Sequence, residues 1–286
     1  MLGVIAVHFN PIGYARPRAN LHRFMQQMKG LPVWYGELSF DGSFQIPDGP
    51  NVLHLTGNVS NCLWQKERLI NLVAEKLPSE IKSIAWIDAD LTFGNDNWYF
   101  DTINALKEFP IVQLFQKAYW MNAHGVITQD LFSAGALPVN NKGFPHPGFA
   151  WAMRRELWDQ TNGLFDASII GSGDAWMCGL LNRHPYSGTV NGQEIESLKR
   201  KFDQWSARLC GDVPKLGYVR GGVFHHYHGS NSGRQYTTRN NLLKGNDFDF
   251  DRDVFQNDSG LWEWRFPGSP VALAMRQYFQ SRDEDK

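Results

Sequence analysis

The chain has 286 residues and carries 28 basic against 29 acidic side chains, which gives a formal net charge of −1. This balance excludes a strongly basic nucleic-acid coat and an acidic solvating tail. Hydrophobic residues make up 42% of the chain, enough for a sizeable core, so wholesale disorder is excluded as well. The 3 cysteines are too few and too scattered for a disulfide framework, and without a CxxC pair a structural zinc site is not expected.

Strand and helix patterns alternate through the first part of the chain. Short apolar runs predict strands at residues 4–9, 33–40, 83–87 and 111–115. Helical periodicity predicts helices at residues 19–29, 61–76 (with Asn61 as N-cap) and 97–109. Strands separated by helices favour an α/β fold with three layers and a mostly parallel sheet.

The pattern is less regular from residue 117 onward. Residues 117–148 are rich in Gly, Asn, Pro and His, which predicts a loop over one end of the sheet. Helices are expected at 154–161, 174–181, 193–209 and 271–279, and a strand at 218–228. Since no repeat and no long linker occurs, we expect a single domain over 1–286, with a regular half 1–116 and an irregular half 117–286. The start of the chain resembles a strand rather than a leader, and no apolar run reaches membrane-spanning length, so we expect a cytoplasmic protein.

An apolar strand runs directly into two carboxylates, Asp88 and Asp90. Ligands of open α/β sheets bind at the carboxyl ends of strands. Two acids there can hold a divalent cation that also contacts substrate phosphates, as Mg²⁺ and Mn²⁺ do. The alternative is a polar turn in which one Asp caps the next element.

Three histidines fall within four residues of the predicted strand 218–228. On a strand, His226 and His228 lie on one face and His225 points away. His226 and His228 can therefore supply a nitrogen ligand to the same cation. The alternative is a group of half-exposed histidines at a strand end.

Two further residues are candidates for the same site. A Gly-rich turn places Asp174 in the first turn of a helix, where it could act as a general base or serve as an ordinary N-cap. Arg68 lies on the helix before the two-acid strand, where it could contact a diphosphate or lie on a solvated helix face.

Taken in order, these segments resemble a GT-A fold glycosyltransferase with a DxD motif. The matching segments are residues 9–11, 66–71, 87–90, 146–155 and 162–166. The closing segments 226–230, 234–236 and 278–285 are similar to uncharacterised phage and bacterial members. The resemblance implies a Rossmann-like GT-A domain with a nucleotide-binding half 1–116 and an acceptor-binding half 117–286.

The resemblance also implies roles for individual positions. Those implied to contact the nucleotide-sugar donor are Phe9, Asn10, Pro11, Arg68, Asp88, Ala89, Gly148, Ala150, Arg234 and Tyr236. Those implied to bind the metal, Mn²⁺ or Mg²⁺, are Asp88, Asp90, His226 and His228. Asp174 stands where inverting members carry their catalytic base. The acid that usually precedes this base is replaced here by Gly173, which leaves a retaining outcome open.

The implied function is transfer of a hexosyl or pentosyl group from a nucleotide-diphosphate sugar to an acceptor hydroxyl. A surface glycan is one candidate acceptor, and a hydroxymethylated base in phage DNA, modified in the host cytoplasm, is another. Residues that could contact DNA phosphates are Arg16, Arg18, Lys199, Arg200, Lys201 and Arg208. One alternative is a nucleotidyltransferase that makes nucleotide sugars, although residues 8–13 are a poor phosphate loop. Another is a non-catalytic module whose tryptophans stack on sugars or bases.

Overall fold

The computed structural model describes residues 1–138, 143–181, 194–236 and 238–286. The strands are β1 (Leu2–Phe9), β2 (Val33–Ser39), β3 (Val52–Thr56), β4 (Ser83–Ile87), β5 (Leu91–Phe93), β6 (Ile111–Gln113), β7 (Lys117–Met121), β8 (Ile127–Phe132), β9 (Ala150–Arg154), β10 (Leu216–Tyr218), β11 (Gly222–His225), β12 (Val254–Gln256) and β13 (Trp262–Trp264). The α-helices are α1 (Ala15–Gln27), α2 (Lys66–Ala74), α3 (Trp98–Glu108), α4 (Arg155–Thr161), α5 (Gly173–Leu180), α6 (Glu196–Ser206), α7 (Asn231–Arg234), α8 (Asn240–Lys244), α9 (Phe250–Asp253) and α10 (Pro270–Ser281).

A seven-stranded sheet with the order β10-β6-β9-β4-β1-β2-β3 forms the centre of the fold. All neighbouring strands in it run parallel except β9, which pairs antiparallel with both β4 and β6. Strands buried on both faces read as continuous apolar runs, which is why β1 is detectable from its sequence. The predicted α/β class with a mostly parallel sheet is confirmed.

Helices cover both faces of this sheet, which makes three layers. Val4 of β1 packs in a cluster with Phe24 of α1, whereas the next residue, Ile5, packs with Ile70 of α2 on the opposite face. This alternation follows from the two-residue period of a strand. The last helix, α10, returns to the body through buried residues such as Met275, as its apolar stripe predicts.

The predicted loop 117–148 is wrong over much of its length. It contains β7 and β8, a hairpin of a second sheet with the order β5-β11-β7-β8. The Asn122 side chain accepts hydrogen bonds from the backbone N–H groups of His124 and Val126 and closes the hairpin turn. The Gly and Asn residues therefore mark a turn between strands rather than an absence of strands. Positions 139–142 of this prediction lie outside the described residues.

The predicted strand 218–228 is also wrong as one element. It divides into β10 in the central sheet and β11 in the second sheet, with Gly221 at φ +111° between them. The predicted helix 61–76 starts later, because Val59–Asn61 forms a separate 3₁₀ turn capped by Asn58. The helix predicted at 193–209 corresponds to α6, and its first predicted residue lies outside the described residues. None of the helices in the described part of the chain has the length and apolar character needed to cross a membrane.

Candidate functional site

A cavity of about 750 Å³ opens at the carboxyl ends of β1 and β4. This is the edge at which open α/β sheets bind ligands. Residues after β1, residues after β4, the start of α5 and the segment after β11 all contribute to its wall. The polar side chains that the sequence scatters over most of the chain are thus brought to one place.

Three potential metal ligands converge in this cavity: Asp90, His225 and His228. The Nε2 atoms of the two histidines lie 3.2 Å apart, and Asp90 Oδ2 is 2.7 Å from His228 Nε2 and 3.6 Å from His225 Nε2. The antiparallel pairing of β11 with β5 sets His225 opposite Leu91 and so beside Asp90. Two imidazole nitrogens and a carboxylate oxygen at these separations are a suitable donor set for a divalent transition metal.

The electrostatics of this cluster suit a cation. Burial would raise the pKa of the Asp90 carboxyl, but the adjacent His225 and His228 hold it well below its ordinary value. Burial lowers the pKa of His225 to about 4, against the opposite effect of Asp90, so this imidazole is neutral and able to ligate. Asp90 Oδ1 is buried and has no hydrogen-bond partner among the described residues, as expected for an atom turned towards an ion.

The structure does not bring His226 into this cluster. Strand β11 ends at His225, so the two-residue alternation that predicted His226 does not continue to His228. The Nε2 of His226 instead lies 2.7 Å from Thr92 Oγ1. His225, which the strand pattern predicted to point away, takes its place, because the chain becomes irregular after His225 and brings His228 back beside it.

Two buried arginines form the wall next to the histidines. Arg234 and Arg239 are only 7% and 6% exposed, and neither has a carboxylate within 4.0 Å in the part of the chain that the structure describes. Arg234 Nη1 donates to Tyr236 Oη at 2.6 Å, and Arg239 Nη2 donates to Ser172 Oγ at 2.6 Å. Burying a guanidinium without an opposite charge is costly, so this wall is suited to an anionic ligand.

Arg234 is held in place by helices α7 and α10. Arg234 is the last residue of α7, and its backbone carbonyl accepts a hydrogen bond from the Tyr278 hydroxyl at 2.9 Å. Arg239 was missed by sequence reasoning. It stands in a polar tail among many other charged residues, and only the fold shows that it is buried.

Acidic residues surround a single lysine on the other side of the cavity. Lys66 Nζ lies 2.5 Å from Asp88 Oδ1, and the neighbouring Glu67 accepts a hydrogen bond from Trp64 Nε1 at 3.0 Å. Burial raises the pKa of Asp88 to about 6 and that of Glu67 to about 7, although Lys66 opposes both shifts. Burial acts in the opposite direction on Lys66, but Asp88, Asp174 and Glu67 together keep its pKa above the ordinary value.

Asp174 lies in the first turn of α5 and lines the same cavity. Its carboxylate rests against the α-carbon of Gly148, so closely that any side chain at 148 would collide with Oδ2. A side chain at Gly173, directly before Asp174, would likewise collide with the Glu67 carboxylate. A Cβ atom at either glycine would force the neighbouring carboxylate to move, so both glycines allow Glu67 and Asp174 their close approach at the start of α5.

Of the other predicted donor-binding residues, Phe9, Asn10, Pro11 and Ala89 line the cavity. The Asn10 side chain also closes the turn after β1, accepting from Gly13 N at 3.1 Å and from Tyr14 N at 3.0 Å.

Three predicted donor-binding residues, Arg68, Gly148 and Ala150, are not part of the cavity wall. Arg68 donates to Asp166 Oδ2 at 3.2 Å and to the Gly260 carbonyl at 2.6 Å, in a separate depression. Residues two apart on a helix point in nearly opposite directions, so the helix that presents Lys66 to the cavity turns Arg68 away from it. Ala150 is fully buried at the start of β9, opposite Ile87.

Strained backbone occurs on both sides of the site. Phe149 and Ser172 have φ values of 81° and 76°, which are unusual for residues other than glycine. The Phe149 ring stacks on His225 with a 5.0 Å centroid separation, and its carbonyl accepts from Asp88 N at 2.9 Å. Strain of this kind is found mainly where function requires it. Here the strained residue Phe149 contacts both sides of the cavity, His225 through its ring and Asp88 through its carbonyl.

No protein-family model matches the chain, and no curated protein is significantly similar to it. A solved structure of Drosophila β1,4-galactosyltransferase 7 in complex with manganese, UDP-Gal and xylobiose is similar, with 13% identity, a TM-score of 0.43 and coverage of 95% of this chain and 98% of that one. The 4-diphosphocytidyl-2C-methyl-D-erythritol synthase of Anaerococcus prevotii is 12% identical, with a TM-score of 0.37 over 77% of this chain and 87% of that one. TarS of S. aureus is 10% identical, with a TM-score of 0.39 over 79% and 60%. At these values the function has to be argued from the site itself.

Proposed function

We propose that the chain is a metal-dependent glycosyltransferase that binds a nucleotide-diphosphate sugar in the cavity at the end of β1 and β4. One observation carries this proposal: the cluster Asp90, His225 and His228 adjoins two buried arginines that have no carboxylate partner among the described residues. A divalent cation and two guanidiniums side by side match the charge of a diphosphate. The cavity volume of about 750 Å³ is in the range of sites for ligands of that size.

Three side chains would hold the cation, namely Asp90, His225 and His228. Two imidazole ligands disfavour Mg²⁺, whose ligands are oxygens, so we propose Mn²⁺ of the two expected ions. When bound, the cation would stabilise negative charge on the leaving diphosphate. Asp88 is paired with Lys66 and lies outside the three-ligand cluster, so its proposed role is contact with the donor sugar or ribose.

Each of the remaining wall residues would contact a different part of the donor. Phe9, Asn10 and Pro11 would border the base and ribose, because they follow the central strand β1. Arg234 and Arg239 would contact the diphosphate through charge-assisted hydrogen bonds. The Tyr236 ring, with the Arg239 guanidinium 5.1 Å from its centroid, would help to orient those groups.

Asp174 is the proposed general base of an inverting transfer. The acceptor oxygen would form its bond to the anomeric carbon while the bond from that carbon to the diphosphate breaks, and the electron pair would leave on the diphosphate. Asp174 would take the proton of the acceptor hydroxyl. The close contact with Gly148 fixes the carboxylate at the cavity edge.

A glycan hydroxyl is the proposed acceptor in preference to a base in DNA. In α6, Lys199 pairs with Asp203, and Arg200 and Lys201 both pair with Asp251. These three charges of α6 are thus balanced locally, which weakens the electrostatic attraction that DNA binding depends on. Salt-dependent binding to duplex DNA would instead favour a modified base as acceptor.

Thermal unfolding with five nucleoside diphosphates, each with and without Mn²⁺, tests the donor proposal. Selective binding raises the unfolding temperature by mass action, so one nucleotide should do so strongly and only with Mn²⁺. Arg239→Gln should remove most of that shift, whereas Arg220→Gln at an exposed arginine should retain it. The proposal fails if no nucleotide shifts the transition. Pyrophosphate release from a nucleoside triphosphate and a sugar 1-phosphate would indicate a nucleotidyltransferase instead.

A further inference from the structure

The chain that follows α10 packs directly behind the histidine cluster. Asp285 accepts hydrogen bonds from the backbone of Ala15 at 2.9 Å and of Arg16 at 2.8 Å, which are the first amides of α1. The Tyr14 hydroxyl donates to the Gln280 carbonyl at 2.7 Å. Residues 282–285, called the strap below, are therefore fixed to the start of α1 from both sides.

The Glu284 side chain extends from the strap towards Nδ1 of His228. It is 6% exposed, and its Oε1 lies 3.6 Å from His228 Nδ1 and in contact with Arg282 Nη2. The other ring nitrogen, Nε2, faces Asp90 and also lies 2.5 Å from Arg234 Nη2. Glu284 is thus on the far side of the imidazole from the metal-ligand cluster and is not placed to ligate the same ion.

The chain after β11 contacts the strap closely at two glycines. A Cβ atom at Gly229, which has a φ of +94°, would lie 3.0 Å from the α-carbon of Glu284. A Cβ atom at Gly233 would lie 2.7 Å from the Arg282 carbonyl oxygen. Since the nearby atoms are backbone, neither side chain could be accommodated without moving the strap. Close contact at both glycines indicates that the strap has one defined position against His228.

We infer that Glu284 is a positioning residue for the metal site: its buried carboxylate, 3.6 Å from His228 Nδ1, favours the tautomer with the proton on Nδ1 and so leaves the Nε2 lone pair for the cation. This inference rests on the metal site of the proposed function. A histidine ligand that donates its second ring N–H to a carboxylate has a fixed tautomer and orientation and is a more basic ligand. Arg282 Nη2 contacts the same oxygen of Glu284, Oε1, and the strap ties both residues to α1.

Mn²⁺ affinity, measured by the electron paramagnetic resonance of free Mn²⁺ in the absence of nucleotide, tests this role. Glu284→Gln should weaken Mn²⁺ binding roughly 10–100-fold, as loss of such a partner usually does. Asp283→Asn is the matched control, because it removes a carboxylate charge at the position next to Glu284. The Asp283 side chain is exposed and paired with Lys286. Asn tolerates the positive φ of 48° at this position, so the control should fold and bind Mn²⁺ like the wild type.

The outcomes separate this inference from the proposed function. If the wild-type protein binds no Mn²⁺, the metal site itself is wrong. If the wild type binds and Glu284→Gln binds equally well, only the positioning role is overturned.

A second measurement does not depend on how well the variant folds. Histidine ¹⁵N spectra of the metal-free wild type should show the proton of His228 on Nδ1. A proton on Nε2 would overturn the inference. Because Arg234 Nη2 also approaches Nε2, this spectrum tests the tautomer, and the Mn²⁺ affinity of Glu284→Gln tests the part that the carboxylate plays in it.

Discussion

The two sides of the cavity bury charge in opposite ways. We call them the histidine end (Asp90, His225, His228 and Arg234) and the lysine end (Lys66, Glu67, Asp88 and Asp174). At the histidine end one carboxylate is surrounded by imidazoles and a guanidinium, which hold the pKa of Asp90 well below its ordinary value against the effect of burial. At the lysine end one ammonium serves three carboxylates, and burial raises the pKa of Asp88 to about 6.

This contrast shows that a two-acid motif need not act as one unit. Asp88 and Asp90 are two positions apart and at the end of the same strand, yet their pKa values move in opposite directions. The histidine end suits a cation and the anion that it accompanies. At the lysine end the pKa values of Asp88 and Glu67 are raised to about 6 and about 7, which suits acid–base chemistry near neutral pH.

The largest expected effect separates chemistry from binding. Asp174→Asn should lower the transfer rate by about 10²–10⁴-fold, because the amide cannot accept the acceptor proton. Its affinity for Mn²⁺ and for the donor should stay within a few-fold of the wild type, since the histidine end is untouched. Single-turnover transfer and equilibrium binding would measure the two separately.

Asp159→Asn is the control for this variant, because Asp159 is an exposed acid on α4 that pairs only with Arg155 in the described structure. It should leave both measurements unchanged. Full turnover by Asp174→Asn would reduce Asp174 to a helix-capping residue and would remove the base from the lysine end.

The next effect distinguishes the two histidines that the sequence pattern had paired. His228→Ala should weaken Mn²⁺ binding more than about 100-fold, because it removes one of three ligands. His226→Ala should leave Mn²⁺ affinity unchanged, because its ring contacts Thr92 outside the cluster. Calorimetric titration with Mn²⁺ measures both, and equal losses in the two variants would contradict the exclusion of His226 from the cluster.

The elements that the sequence predicts well are those with strong local patterns. The apolar runs of β1 and β4 and the amphipathic pattern of α3 depend on burial of the segment itself, so their bounds differ from expectation by only a few residues. Strands β7 and β8 form an exposed hairpin whose mixed polarity resembles a loop, and β11 is too short for its alternation to reach His228.

Residues of the site could be predicted only where they belong to a short sequence motif. Asp88, Asp90 and Asp174 follow apolar or Gly-rich segments, and the structure places all three at the cavity. Arg239 and Glu284 stand in polar segments, and only tertiary contacts bury them. Arg68 could have been excluded from the site by its position on the helix. It is two residues after Lys66, and residues two apart on a helix do not face the same surface.

The smallest expected effect concerns the buried acid of the lysine end. Burial raises the pKa of Glu67 from 4.5 to about 7, so the folded protein binds this proton more tightly than the unfolded chain does. The free energy of unfolding of the wild type should therefore fall relative to that of Glu67→Gln as the pH rises from about 4.5 to 7. Above that window the difference should be constant at roughly 1–3 kcal/mol, since each pKa unit corresponds to about 1.4 kcal/mol.

Metal-free denaturant unfolding at several pH values would measure this difference. Lys66, Asp88 and Asp174 face Glu67 in both proteins, so their own titration largely cancels in the comparison. Glu75→Gln, at an exposed position that caps the same helix, is the matched control and should give a difference that does not change with pH. A flat difference for Glu67→Gln as well would mean that the pKa of Glu67 is the same in the folded protein as in the unfolded chain. Lys66 would then neutralise two neighbouring carboxylates at once, and the contrast between the two ends of the cavity would be smaller than the structure indicates.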